Sequence, residues 1–242
     1  MHETAQHSTV SEALATLACG PLDATSATAV DHARARLAEA RAHVDDAIAA
    51  QLGALLQSQG SSAGDLRVRA WTMGAVLAQV DATHNVAVLA AVMTIGDALD
   101  TPELEMAQAA AVGIEAAARL LGAVDSDAFR ARWNVASAIG VLGAVLAAAR
   151  LYRLDETCAR HALGIAATQA AGLAHNVTHD MGALETGKAV ADAIEAALIA
   201  KHGFTSAQAS IDGRRGLAAL MAYRFDAASI VDMIGRRWVS AR

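Results

Sequence analysis

Two stretches constrain this chain more than any others: "VAVLAAVMTIGDAL" at residues 86–99 and "VASAIGVLGAVLAAA" at residues 135–149. Both are apolar on every side of a helix rather than on one stripe, so each must be surrounded by other elements. Both are shorter than the roughly 20 apolar residues that span a bilayer, Asp97 interrupts the first and Arg150 closes the second, and no membrane role is expected. Gly140 and Gly143 in the second stretch would let neighbouring backbones come close.

What surrounds them is expected to be helical too. The sequence is 55% hydrophobic but only 3% aromatic, with two prolines, so Ala and Leu dominate where strand-favouring residues are sparse. The expected class is all-α, a multi-helix domain over residues 10–242 after a flexible N-terminus at residues 1–9. Helices are expected through residues 30–59, where Ser26 or Thr28 can cap, through "LRVRAWTMGAVLAQV" to near Asp81, and from Val86. The next should open with Thr101 as N-cap and Pro102 in first place. Others should run from Val135, through "DETCARHALGIAATQAAGLA", and through "ALETGKAVADAIEAALIAKHGF" with Gly203 as C-cap, before short helices around "DGRRG".

The formal charge of −6 offers no basic stripe for phosphates, so no nucleic-acid partner is expected. Cys19 and Cys158 are far apart, there is no CxxC, and no apolar leader opens the chain, which points to a reduced, cytoplasmic protein.

Chemistry concentrates in a few places. "AHNVTHDMGALE" at residues 174–185 holds His175, His179, Asp180 and Glu185. Histidines four apart share a face if a helix carries both, a spacing a metal can use. The pattern HExxH is absent, and a solvated or substrate-contacting loop is preferred to a metal site. In "DATHN", Asp81 stands three residues before His84 and can orient an imidazole or simply cap a helix junction. Asn134 can hydrogen-bond a substrate oxygen or act as N-cap. Cations for a carboxylate are few: Arg132, and Lys188 one turn beyond Glu185, Lys201 being the other lysine.

Taken in order, "AVGIEAAARLLGA", "RWNVASAIGVLGAVLAAARLYRLDETCARHALGIAATQAAGL" and "AVADAIEAALIAKHGFTSAQASIDGRRGLAAL" resemble the helical domain of the MmgE/PrpD family over most of residues 70–222. That family includes 2-methylcitrate dehydratase, cis-aconitate decarboxylase and iminodisuccinate epimerase. The resemblance implies the helical half alone, without the α+β lid domain, and dimerisation through helical faces into a homodimer. It also implies proton transfer without metal or cofactor on a small carboxylate or carbonyl compound.

Within "MGAVLAQVDATHNVAVLA" the family's NGxxxHxxDFDDTH…HPS segment is matched by Gly74, Asp81, Thr83 and His84, His84 standing for either family histidine. The next family histidine is replaced by Asn134, and an ungapped count puts Gly182 at the family lysine and Glu185 at the following histidine. The expected site is therefore Asp81 and His84 for proton transfer, with Thr83, Arg132, Asn134, His175, His179, Glu185 and Lys188 contacting substrate. Two classes stay open: a divergent lyase or isomerase working by elimination, isomerisation or cyclisation, in a biosynthetic setting, or an inactive helical subunit that pairs with itself or a full-length relative.

Overall fold

The structure is a computed structural model that describes residues 7–43 and 47–241. Among them no strand occurs, and the elements are α1 (Thr9–Cys19), α2 (Ala27–Arg41), α3 (Ala47–Ser58), α4 (Leu66–Val80), α5 (Asn85–Leu99), α6 (Glu103–Val124), α7 (Asp127–Arg130), α8 (Val135–Ala138), α9 (Gly140–Leu151), α10 (Glu156–Gln169), α11 (Asp180–Lys201), α12 (Leu217–Met221) and α13 (Ala227–Val231). The all-α expectation therefore holds.

The two fully apolar stretches form the centre. All of α9 from Gly140 to Ala149 is buried, as is α5 from Val86 to Gly96, and α9 is walled by α5, α6, α10 and α11. The approach is close where glycines meet. A Cβ on Gly143 would lie 2.5 Å from the Gly113 carbonyl oxygen of α6, and one on Gly140 3.0 Å from the His84 carbonyl oxygen. A second crossing pairs α4 with α11, where a Cβ on Gly187 would stand 2.3 Å from the Trp71 carbonyl oxygen. Among the described residues one helix, α6, is long and apolar enough to cross a membrane, and 72% of its apolar window is buried within the molecule.

Several details depart from the sequence expectations. Helix α1 is an additional element, capped by Ser8, whose Oγ accepts from the Ser11 N–H. The long helix expected over residues 30–59 ends its first part at Arg41, where Ala42 and His43 close a turn on Glu39 and Ala40; residues 44–46, like residues 1–6 of the expected loose N-terminus, lie outside the described residues. The helix expected from Val135 tightens at Ile139 and is read as α8 plus α9. Pro102, not Thr101, is the N-cap residue of α6, since Pro102 itself is still extended at ψ 143°, and its ring has no polar atom with which to cap.

The C-terminal segment is pinned to α6 by a buried ion pair. Glu115 and Arg119, one turn apart and fully enclosed, pair at 2.7 Å. Arg119 also donates to the carbonyls of Ser229, Ile230, Asp232 and Arg237, while Glu115 accepts from the backbone of Val239 and from the backbone and hydroxyl of Ser240.

Candidate active site

Four helix ends share one end of the molecule. Arg67 pairs with Glu195 whereas Trp71, a turn later, donates to the Leu184 carbonyl, so α4 and α11 run antiparallel and the end of α4 lies beside the start of α11. The chain turns at residues 81–84 into α5, whose start abuts Gly140 at the head of α9. The segment after α10 returns to the same end, where Trp133 and Leu173 form an antiparallel bridge, with the Asn134 N–H on the Gly172 carbonyl.

The residues expected from the sequence fall here in two groups. In the first, Asp81 ends α4 and its Oδ1 accepts from the Thr83 N–H at 2.8 Å, which shapes the corner that delivers His84. Its Oδ2 pairs with Arg36 of α2 at 2.6 Å. Both carboxylate oxygens are thus engaged by groups other than the imidazole, and Asp81 acts on His84 through its charge. His84 is partly buried and its imidazole hydrogen-bonds to no described residue. Burial holds its pKa below the ordinary 6.5; the Asp81 charge works against that, and Arg130 and Arg36 reinforce it. Such an imidazole is neutral at pH 7, with a lone pair available to take a proton. A cavity of about 90 Å³ lined by Arg36, Leu77, Asp81, Val86 and Leu89 adjoins this group.

The second group is centred on Asn134, which is 3% exposed. Its Oδ1 caps α8 through the Ala136 N–H, and its Nδ2 reaches Glu185 Oε2 at 3.3 Å and the Gly182 carbonyl at 3.4 Å. The N-cap role expected for this residue is seen, and its amide nitrogen is turned to Glu185 and Gly182. Asn176 Nδ2 donates to the other Glu185 oxygen at 3.2 Å. Gly172, at φ +123°, brings its backbone against this cluster: a Cβ there would meet Ser137 Oγ at 2.2 Å and Glu185 Oε2 at 3.2 Å.

Other expected residues are placed differently. His175 lies in a 3-10 turn (Ala174–Asn176) and His179 is the N-cap residue of α11, so no single helix carries both; each is exposed. Lys188 is exposed and turns along α11 to Asp192, away from Glu185. Arg132 donates to the Met221 carbonyl at 2.8 Å and stacks over Tyr223 at 4.6 Å, so its guanidinium faces the C-terminal segment. Among the described residues no group of three or more His, Cys, Asp or Glu side chains is placed to hold a metal.

Gly182, at the position counted onto the family lysine, has no room for a side chain, since a Cβ would lie 2.8 Å from both Val177 Cα and its carbonyl oxygen. Sequence reasoning missed Arg36 and Asn176. Arg36 stands 45 residues from Asp81, and no local pattern announces such a pairing.

An all-helical domain whose polar groups gather where helix ends meet, at an end with a histidine kept neutral, is a scaffold suited to acid–base chemistry. Residues 75–229 match the MmgE/PrpD N-terminal domain, and the chain belongs to the MmgE/PrpD family. It is 33% identical over 147 residues to the cis-aconitate decarboxylase of Homo sapiens, an alignment covering 58% of this chain and 31% of that relative. The chain thus spans about a third of the length of the curated relative it matches.

Proposed function

We propose that this protein is a lyase- or isomerase-type member of its family that moves a proton on a small carboxylate or carbonyl compound, with His84 as the base. The observation that carries this reading is the His84 imidazole: partly buried, kept neutral by that burial, without a hydrogen-bond partner among the described residues, beside the Asp81 charge. A proton taken from the carbon next to a carbonyl leaves an enolate, which needs a hydrogen-bond donor near its oxygen. The amides of Asn134 and Asn176 supply such donors at the same end of the molecule, and their contacts with Glu185, at 3.3 and 3.2 Å, are long enough to be exchanged for a ligand oxygen. Asp81, held by Arg36, keeps a negative charge near the imidazolium that forms. No metal or cofactor is invoked, and a homodimer is the expected assembly.

A second reading, a non-catalytic helical subunit, draws on the engagement of Arg132 and Lys188 elsewhere, which leaves neither turned toward Glu185 as a carboxylate clamp. One experiment separates the two. The protein is incubated in D₂O with cis-aconitate, the compound in the relative's name, and with a panel of small di- and tricarboxylates, and proton exchange or product is followed by NMR. Turnover that falls by about a hundredfold or more in His84→Gln, the usual size of a general base's contribution, supports the enzyme. Turnover untouched by His84→Gln removes His84 as the base, and an inert wild-type protein favours the subunit.

A further inference from the structure

A second concavity lies apart from the His84 and Asn134 groups. The loop after α11 folds over the flank of α10, where Gly164 lets it approach: a Cβ on Gly164 would meet Ser206 Oγ at 2.1 Å. Between loop, α10 and α12 runs an open groove of about 990 Å³, large enough for a small organic molecule. Its lining is mixed: His161 and Thr168 come from α10, Ser206, Arg214 and Arg215 from the loop, and Leu217 and Leu220 from α12, and no residue lining the groove is acidic.

The state of His161 follows from its contacts. The Ser206 N–H donates to its Nδ1 at 3.1 Å, so that nitrogen holds a lone pair and the proton of the neutral ring sits on Nε2, a donor. Ser206 Oγ donates to the His161 carbonyl at 3.1 Å, which fixes the loop to the ring's own turn of helix. Arg215 is exposed and forms no ion pair among the described residues. Leu220, which also lines the groove, is 73% exposed, an apolar side chain left in water.

We infer that this groove binds an organic oxyanion, a carboxylate or phosphate head held by Arg215 and His161, with an apolar body lying against Leu217 and Leu220. Charge-assisted contacts to a guanidinium suit either head, and the leucines select against a bare inorganic ion.

The test is calorimetric titration of the whole chain at low salt with octanoate, octyl phosphate and inorganic phosphate. Both alkyl anions, or the one with the preferred head, should bind at millimolar concentration or below, inorganic phosphate more weakly. Arg215→Ala should weaken the alkyl anion about tenfold, the loss of one charge-assisted contact. Leu220→Ala should weaken the alkyl anion and leave inorganic phosphate unchanged; both side chains are exposed, so the fold should survive either change. Absence of binding by both alkyl anions, an affinity indifferent to Arg215→Ala, or inorganic phosphate binding as tightly as octyl phosphate would each overturn the proposal.

Discussion

Glu115 with Arg119 and His84 with Asn134 are two places where this alanine-rich chain admits polar chemistry, and they are finished to different degrees. The buried pair on α6 is saturated: both Glu115 oxygens and every Arg119 nitrogen have partners, most of them backbone groups of residues 229–240. The polar end is not saturated. Among the described residues the His84 imidazole has no hydrogen bond and Asn85 Oδ1, next in sequence, is buried without a partner, while Asn134 and Asn176 hold Glu185 through long contacts. A satisfied buried network fixes structure, whereas unsatisfied polar groups at a junction of helix ends are what a ligand can complete.

The sharpest way to break the comparison is Arg119→Met. It leaves the Glu115 charge buried without its counter-charge and frees the carbonyls of residues 229–237, so urea unfolding should show a loss of roughly 3–5 kcal/mol. Replacing Glu115 by Leu in the same protein should recover much of that loss, since the stranded charge goes with it. At the other end, Asn134→Ala removes a helix cap and one of two amides on Glu185, and should cost about 0.5–2 kcal/mol by the same measurement. The smallest effect belongs to Arg36→Ala. The Arg36 side chain is 40% exposed, so its ion pair with Asp81 should contribute no more than about 1 kcal/mol, and the informative change is electrostatic.

The core was legible because its signal is local: stretches apolar all round become the buried α5 and α9, and Gly140 and Gly143 do lie at close backbone approaches. The pattern of α1, with Val10, Leu14 and Ala18 buried four apart, is local too, but short and followed by loop chemistry. At the polar end, Asp81, His84, Asn134 and Glu185 can be found through the order of the family's segments, which places them without saying what they touch. Their partners were not legible. Arg36 comes from another helix, Asn176 from a 3-10 turn, and Arg132, near Asn134 in sequence, is drawn to Met221, 89 residues on. Glu115 and Arg119 did carry a signal, two opposite charges one turn apart in the apolar stretch of the helix from Ala109 to Val124; its meaning depends on a segment more than a hundred residues away.

The imidazole of His84 makes the central claim measurable. Because burial depresses its pKa in the folded protein, the unfolded chain binds the proton first: the stability it confers is present above 6.5 and is lost as pH falls from there through the folded value. NMR titration of the His84 ring in the intact protein tests this directly. A midpoint below 6.5 is predicted, moving lower in Asp81→Asn, where an opposing charge is removed, and higher in Arg36→Ala. A midpoint at or above 6.5, indifferent to both substitutions, would contradict a neutral base held at this end of the molecule.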